Sequence, residues 1–226
     1  MGGGAVGLTA GTGGKPGAWG ILGGTFDPVH YAHLALAEGA RQALGLEGVL
    51  FLPAGIPPHK PDRIVSAPSH RAAMVELAIA DNPAFRLCRA ELDRPGPSYA
   101  VDTAAALVAV PPVEGADPGG FVWLLSVEAL VELPTWREPQ RLLELVRIGA
   151  VPRPGFRTPG RAWVSEHFPG QEERILFLGG PELGHSASRI RQLVGEGRSI
   201  RYLLPPAVEA YIHDHDLYSP ELWSKD

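Results

Sequence analysis

Between residues 18 and 55 the chain passes from an apolar run ending in glycines, AWGILGG, through HYAHLALAEGARQALGL, into a second apolar run, GVLFLPAG. The first and last runs are too uniformly apolar to present a wet face, so they read as buried strands. The middle run has helical spacing, with Leu34, Ala37, Arg41 and Leu44 near one face and Gly45 as the stop. Strand, helix, strand is a βαβ unit, and its crossover forces the two strands to lie parallel.

The alternation continues to the end of the chain. IPPHKPDRIVS is a polar, proline-rich loop, and APSHRAAMVELAIADN predicts a helix capped by Ser66 or Ser69. FRLCRAEL is a strand, GPSYAVDTAAALVAV a turn and a helix, PPVEGADPGG a loop, and FVWLL a central strand. VEALVEL, PTW and EPQRLLELV are short helices around a turn, and RIGAVPRPG and RILFLGG are the last strands. SASRIRQLVGEG and PPAVEAYIHDHDLY close the chain as helices, the second with proline near its first turn. No linker or internal repeat interrupts the pattern. It predicts a single-domain, Rossmann-like α/β fold: an open, mostly parallel sheet with helices on both faces. The domain spans 18–219, with a Gly-rich tail over 1–17 and a short tail over 220–226.

Size and composition narrow the function classes. A chain of 226 residues with 45% hydrophobic content can bury an ordinary core. A net charge of −5 argues against a general nucleic-acid binder. It leaves room for a small phosphorylated ligand held by a few cations and backbone amides. The single cysteine, Cys88, forms no internal disulfide, and no Cys/His cluster has zinc spacing. A reducing, cytoplasmic setting is the simplest expectation. No apolar run approaches the ~18–20 residues of a membrane span, and the N-terminus lacks the regions of a secretory signal. A homo-oligomer is compatible with all of this.

Ligands of such sheets sit at the carboxyl ends of the strands, where strand order reverses. The first strand ends in GGTFDPVHYAH, which places His30 and His33 at that mouth and on one side of a helix start. Free amides and the helix dipole there favour an anion. Gly23 and Gly24 let a ligand approach the backbone, and Asp27-Pro28 makes a turn or starts the helix. GHSASRIRQL has the same character: Ser186 and Ser188 precede or open a helix, and Arg189 and Arg191 project from its first turns.

GGTFDPVHYAH resembles the first signature of the nucleotidylyltransferase superfamily, the HxGH-type adenylyl- and cytidylyltransferases. Ser186-Ala187-Ser188-Arg189-Ile190-Arg191 resembles its SxTxIR-type second signature, with serine for threonine. LPAGIPPHK, RPGPSYAVDT, LPTW, VPRPG and RYLLPPAVEAYIHDHDLY, in that order, are similar to the nicotinate mononucleotide adenylyltransferases of bacterial NAD synthesis. The similarity runs over about residues 18–219.

The resemblance implies adenylyl transfer from ATP to nicotinate mononucleotide, giving deamido-NAD and pyrophosphate by in-line attack without a covalent intermediate. It implies Mg²⁺ held mainly by the phosphates, with no protein metal ligands. His30, His33 and Arg191 become the catalytic residues. Gly23, Gly24, Thr25, Phe26, Ser126, Glu128, Ser186 and Ser188 become ATP contacts. Trp136 is implied to stack on the nicotinate ring, with Tyr99, Ala100 and Arg137 around its carboxylate. Lys60, beside His59, and Arg153 are implied to face phosphate on the same substrate. Three departures stand out: Ala32 where the family usually has glycine, Ala100 for threonine, and Ser126-Val127-Glu128 for Gly-x-Asp. The alternatives are a phosphopantetheine- or FAD-type nucleotidylyltransferase, or a nucleotide-binding protein that has lost turnover. A class I tRNA synthetase is excluded by the short, acidic chain.

Overall fold

The sheet reverses its order at the first strand. The computed structural model describes residues 15–55, 66–180 and 183–219. In it β1 (Trp19–Gly24) leads through α1 (Tyr31–Leu44) to β2 (Gly48–Pro53), then through α2 (Pro68–Ile79) to β3 (Phe85–Leu87). The chain crosses by α3 (Ala100–Ala109) to β4 (Val122–Ser126), which pairs with the free side of β1. It continues outward by α4 (Val127–Glu132) and α5 (Pro139–Leu145) to β5 (Arg147–Val151), then by α6 (Arg161–His167) to β6 (Ile175–Phe177). Helices α7 (Ala187–Gly195) and α8 (Pro206–Asp214) close the chain. The strand order is β3-β2-β1-β4-β5-β6, and every pairing is parallel.

Strand residues alternate between two cores, one on each face of the sheet. Leu22, Val49, Phe51, Val122 and Leu124 join one core with Ala37 and Ala40 of α1, Met74 of α2, Ile190 of α7 and Val208 of α8. Ile21, Leu50, Leu52, Trp123 and Leu125 join the other with Val101 of α3, Leu130 of α4 and Leu142 of α5. This double burial explains why GVLFLP is buried along its whole length. Gly17, at the end of the expected tail, donates its N–H to Glu47 Oε1 at 2.7 Å and accepts from the Asp117 amide at 2.8 Å.

Three local expectations change. The cap of α2 is Ala67, with no side-chain hydrogen bond, so neither Ser66 nor Ser69 serves; Pro68 in the first turn pre-sets the helix instead. On α1 the fully buried residues are Ala37 and Ala40, while Arg41 turns outward to Glu38, 2.8 Å away. The span over Arg161–His167 is a helix that the spacing did not announce; at seven residues it has too few turns to show a period. Among the described residues, no helix is long and apolar enough to cross a membrane.

Candidate active site

The turn between β1 and α1 makes two imidazoles meet. His30 is the residue before α1, in extended backbone (φ −150°, ψ 171°), and His33 lies in its first turn. Their rings stack, with centroids 3.8 Å apart and 22° between planes. The His30 backbone N–H donates to Nδ1 of His33 at 3.2 Å. A ring nitrogen that accepts from an amide carries no proton, so neutral His33 holds its proton on Nε2. Burial lowers the pKa of His30 to about 4, and nearby His185 and Arg153 push the same way. Burial also holds His33 well below its ordinary value, with His30 and Arg153 adding to the effect. At neutral pH both rings are therefore uncharged N–H donors rather than cations.

Phe26 supports the pair from below. Its side chain is 1% exposed and meets the His33 ring edge-on at 4.9 Å. Its backbone is left-handed (φ 51°), a conformation that costs a non-glycine residue roughly 1–2 kcal/mol. The buried ring offsets that cost. A contact from Phe26 to a ligand would thus come from its backbone. A Cβ on Gly24 would stand 3.2 Å from the Phe26 ring, so this glycine serves the packing of the turn as well as ligand approach.

The turn before α7 faces the turn before α1 across one cleft. Ser186 caps α7, accepting from the Arg189 amide at 3.2 Å. Arg191 is buried; Nη1 donates to the Asp27 carbonyl at 2.6 Å and Nη2 to Ser188 Oγ at 3.2 Å. Asp27 is held in turn: Oδ1 accepts from the Tyr218 hydroxyl at 2.6 Å and Oδ2 from the Ser66 amide at 3.2 Å. Arg71, 2% exposed, donates to the carbonyls of Thr25 (3.1 Å), Ala54 (2.6 Å) and Ser66 (3.1 Å). Burial lowers its pKa while Asp27 and Tyr218 oppose the shift.

A third wall comes from the switch strand. Ser126 ends β4, and its hydroxyl caps α4 by accepting from the Ala129 amide at 3.3 Å. The serine in place of glycine therefore has a structural use. Glu128, in the first turn of α4, forms an ion pair with Arg153, just beyond β5. Arg153, expected beside the second substrate, lines the same cleft as the histidines.

These elements enclose a cleft of about 590 Å³. Every residue assigned from the sequence to catalysis or to ATP lines it, as does Ala32. Tyr99, Ala100, Trp136 and Arg137 form a second group against the core shared by α3 and α5. There the Arg137 guanidinium lies over the Tyr99 ring, 4.7 Å from its centroid, and 3.6 Å from Asp102. Lys60 and His59 lie outside the described residues. Four residues of the site carried no catalytic or binding role in the sequence: His185 and the supporting Asp27, Arg71 and Tyr218. For His185 the available signal was its place directly before Ser186.

A family model described as cytidylyltransferase-like matches residues 21–193. The chain is 47% identical over 201 residues to a protein of Roseiflexus sp. (strain RS-1) named "Probable nicotinate-nucleotide adenylyltransferase", covering 88% of this chain and 96% of that one. A relative of the same name from Thermomicrobium roseum is 42% identical over 199 residues, covering 88% and 90%. Among solved structures, the fold resembles Plasmodium falciparum nicotinic acid mononucleotide adenylyltransferase complexed with NaAD. That match has a TM-score of 0.69 and 19% identity and covers 89% of this chain and 97% of the other.

Proposed function

Because the chain belongs to the cytidylyltransferase-like family, and within it to the nicotinate-nucleotide adenylyltransferases, we propose that the cleft transfers an adenylyl group from ATP to nicotinate mononucleotide. The 5′-phosphate of the acceptor attacks the α-phosphorus of ATP in line. The new P–O bond forms as the bond to the β-phosphate oxygen breaks, and deamido-NAD and pyrophosphate result. The nucleophile is already an anion, so the protein need not remove a proton. Catalysis then rests on positioning and on stabilising charge as it moves.

The observation that carries this reading is the neutral, stacked histidine pair at the start of α1, facing the start of α7 across one cleft. Uncharged N–H donors bind a phosphate without locking the ground state into a strong ion pair. Their bonds strengthen as charge builds on the α-phosphate oxygens. His33 supplies Nε2–H for this, its tautomer set by the His30 amide. Ser186, Ser188 and Arg191 stand where the leaving pyrophosphate would lie, at a helix start that already favours an anion. Glu128 and Ser126, at the carboxyl end of β4 and lining the cleft, go to the adenosine end of ATP in this reading.

Mg²⁺ enters with ATP as part of the substrate. Phosphate oxygens are the hard donors that suit this ion, and they would hold it through the reaction. The acceptor's flat ring goes to Trp136, half-buried at the turn before α5. Its carboxylate goes to the amides of Ala100 and Arg137, with the Arg137 charge nearby. Isolation of deamido-NAD from the chain incubated with Mg-ATP and nicotinate mononucleotide tests the proposal. ATP binding without any adenylylated product would overturn it.

A further inference from the structure

The cleft holds a third imidazole. His185 stands directly before the capping residue of α7, and its ring lies over that of His30 with centroids 6.3 Å apart and 29° between planes. His30 stacks in turn on His33. The three rings form a row from the start of α1 to the start of α7, and all three line the cleft. Nδ1 of His185 is buried with no hydrogen-bond partner among the described residues. A buried ring nitrogen left unpaired costs about 1–3 kcal/mol. Native structures tolerate this where a ligand or water completes the set. Here that nitrogen sits at the start of α7, where the backbone field favours an anion.

We propose that His185 is a substrate-contacting residue that donates from its ring to the β- or γ-phosphoryl oxygens of the nucleoside triphosphate, and hence to pyrophosphate. This rests on the adenylyl-transfer reading and adds a residue to it. His33 and His30 serve the phosphate being transferred, and His185 the group that leaves. Its position fits that division, since it adjoins Ser186 at the start of α7 and its ring meets that of His30. A donor on the leaving group gains strength as negative charge collects there.

The test uses the full chain and two probes, inorganic pyrophosphate with Mg²⁺ and AMP, which lacks the β- and γ-phosphates. In His185→Ala, pyrophosphate should bind about tenfold more weakly by calorimetry, the loss of one charge-assisted hydrogen bond. AMP should bind as it does to the unaltered chain. Asn and Gln between them place an amide N–H near each ring nitrogen, so His185→Asn or His185→Gln should recover part of the pyrophosphate affinity. Unchanged pyrophosphate binding in His185→Ala overturns the proposal, and so does equal weakening of both probes or no recovery in either amide variant. Pyrophosphate release by the unaltered chain from Mg-ATP and nicotinate mononucleotide is measured alongside. No release there overturns the underlying reading, whereas release together with unchanged pyrophosphate binding in His185→Ala overturns this inference alone.

Discussion

Arg191 donates to the backbone carbonyl of Asp27 at 2.6 Å, joining two turns that lie 164 residues apart in the chain. The same guanidinium reaches Ser188 Oγ at 3.2 Å. One side chain thus sets the distance between the two helix starts that flank the cleft. That is a positioning task in addition to the phosphate contact we propose for it.

Arg191→Lys keeps the charge but loses the planar fork that serves both partners. The expected result is a fall in kcat/KM of about 100-fold or more, because a misplacement of roughly 1 Å at a reacting centre is that costly. Steady-state kinetics check it. A lysine variant with near-normal kcat/KM would show that charge alone suffices.

The lowered histidine pKa values give a direction for acid stability. His30 has a pKa of about 4 in the folded chain against an ordinary value of 6.5. As pH falls through 6.5 the unfolded chain takes up the proton first, so folding stability declines between pH 6.5 and about 4. His30 alone contributes roughly 3 kcal/mol to that decline. Denaturant unfolding at pH 7 and pH 5 should show the loss, and His30→Ala should flatten it. A slope unchanged in that variant would contradict the assignment.

Tyr218→Phe removes the hydroxyl that donates to Asp27 Oδ1 at 2.6 Å. The buried carboxylate, 1% exposed, is left one bond short, at an expected cost of about 1–3 kcal/mol. Chemical denaturation measures this, and a change under about 0.5 kcal/mol would mean that water replaces the hydroxyl.

Ser126 offers a cleaner case. Its hydroxyl caps α4, so Ser126→Ala should cost about 1 kcal/mol and Ser126→Gly only a few tenths. Equal losses in the two variants would remove the capping explanation for the departure from glycine.

What was legible in the chain divides along the same lines. The two turns that line the cleft were visible because each is one contiguous string of residues within a few positions of one another. The open parallel sheet followed from apolar strands buried on both faces, whereas the strand order, with FVWLL beside AWGILGG, came only with the structure. The support beneath the site was not visible: Asp27, Arg71 and Tyr218 meet only through the tertiary fold, and a buried arginine on a helix looks in sequence like a solvated one. The ion pair of Glu128 with Arg153 was hidden for the same reason. The substitution of Glu128 for aspartate was noticed, but its partner sits beyond the next strand. Helix α6 escaped because it is too short to show a period.

His33→Ala should lower kcat by about 100- to 1,000-fold and leave KM for ATP nearly unchanged, since its contact gains strength only as charge develops. An unaltered kcat would end the assignment of His33.

The central claim is best tested by pyrophosphate release from Mg-ATP, followed with nicotinate mononucleotide and, in parallel, with nicotinamide mononucleotide. Release is expected with both substrates present, with a strong preference for the acid, whose carboxylate we assign to the amides of Ala100 and Arg137 beside the Arg137 guanidinium. No release with either acceptor, in a chain that still binds ATP, would contradict it.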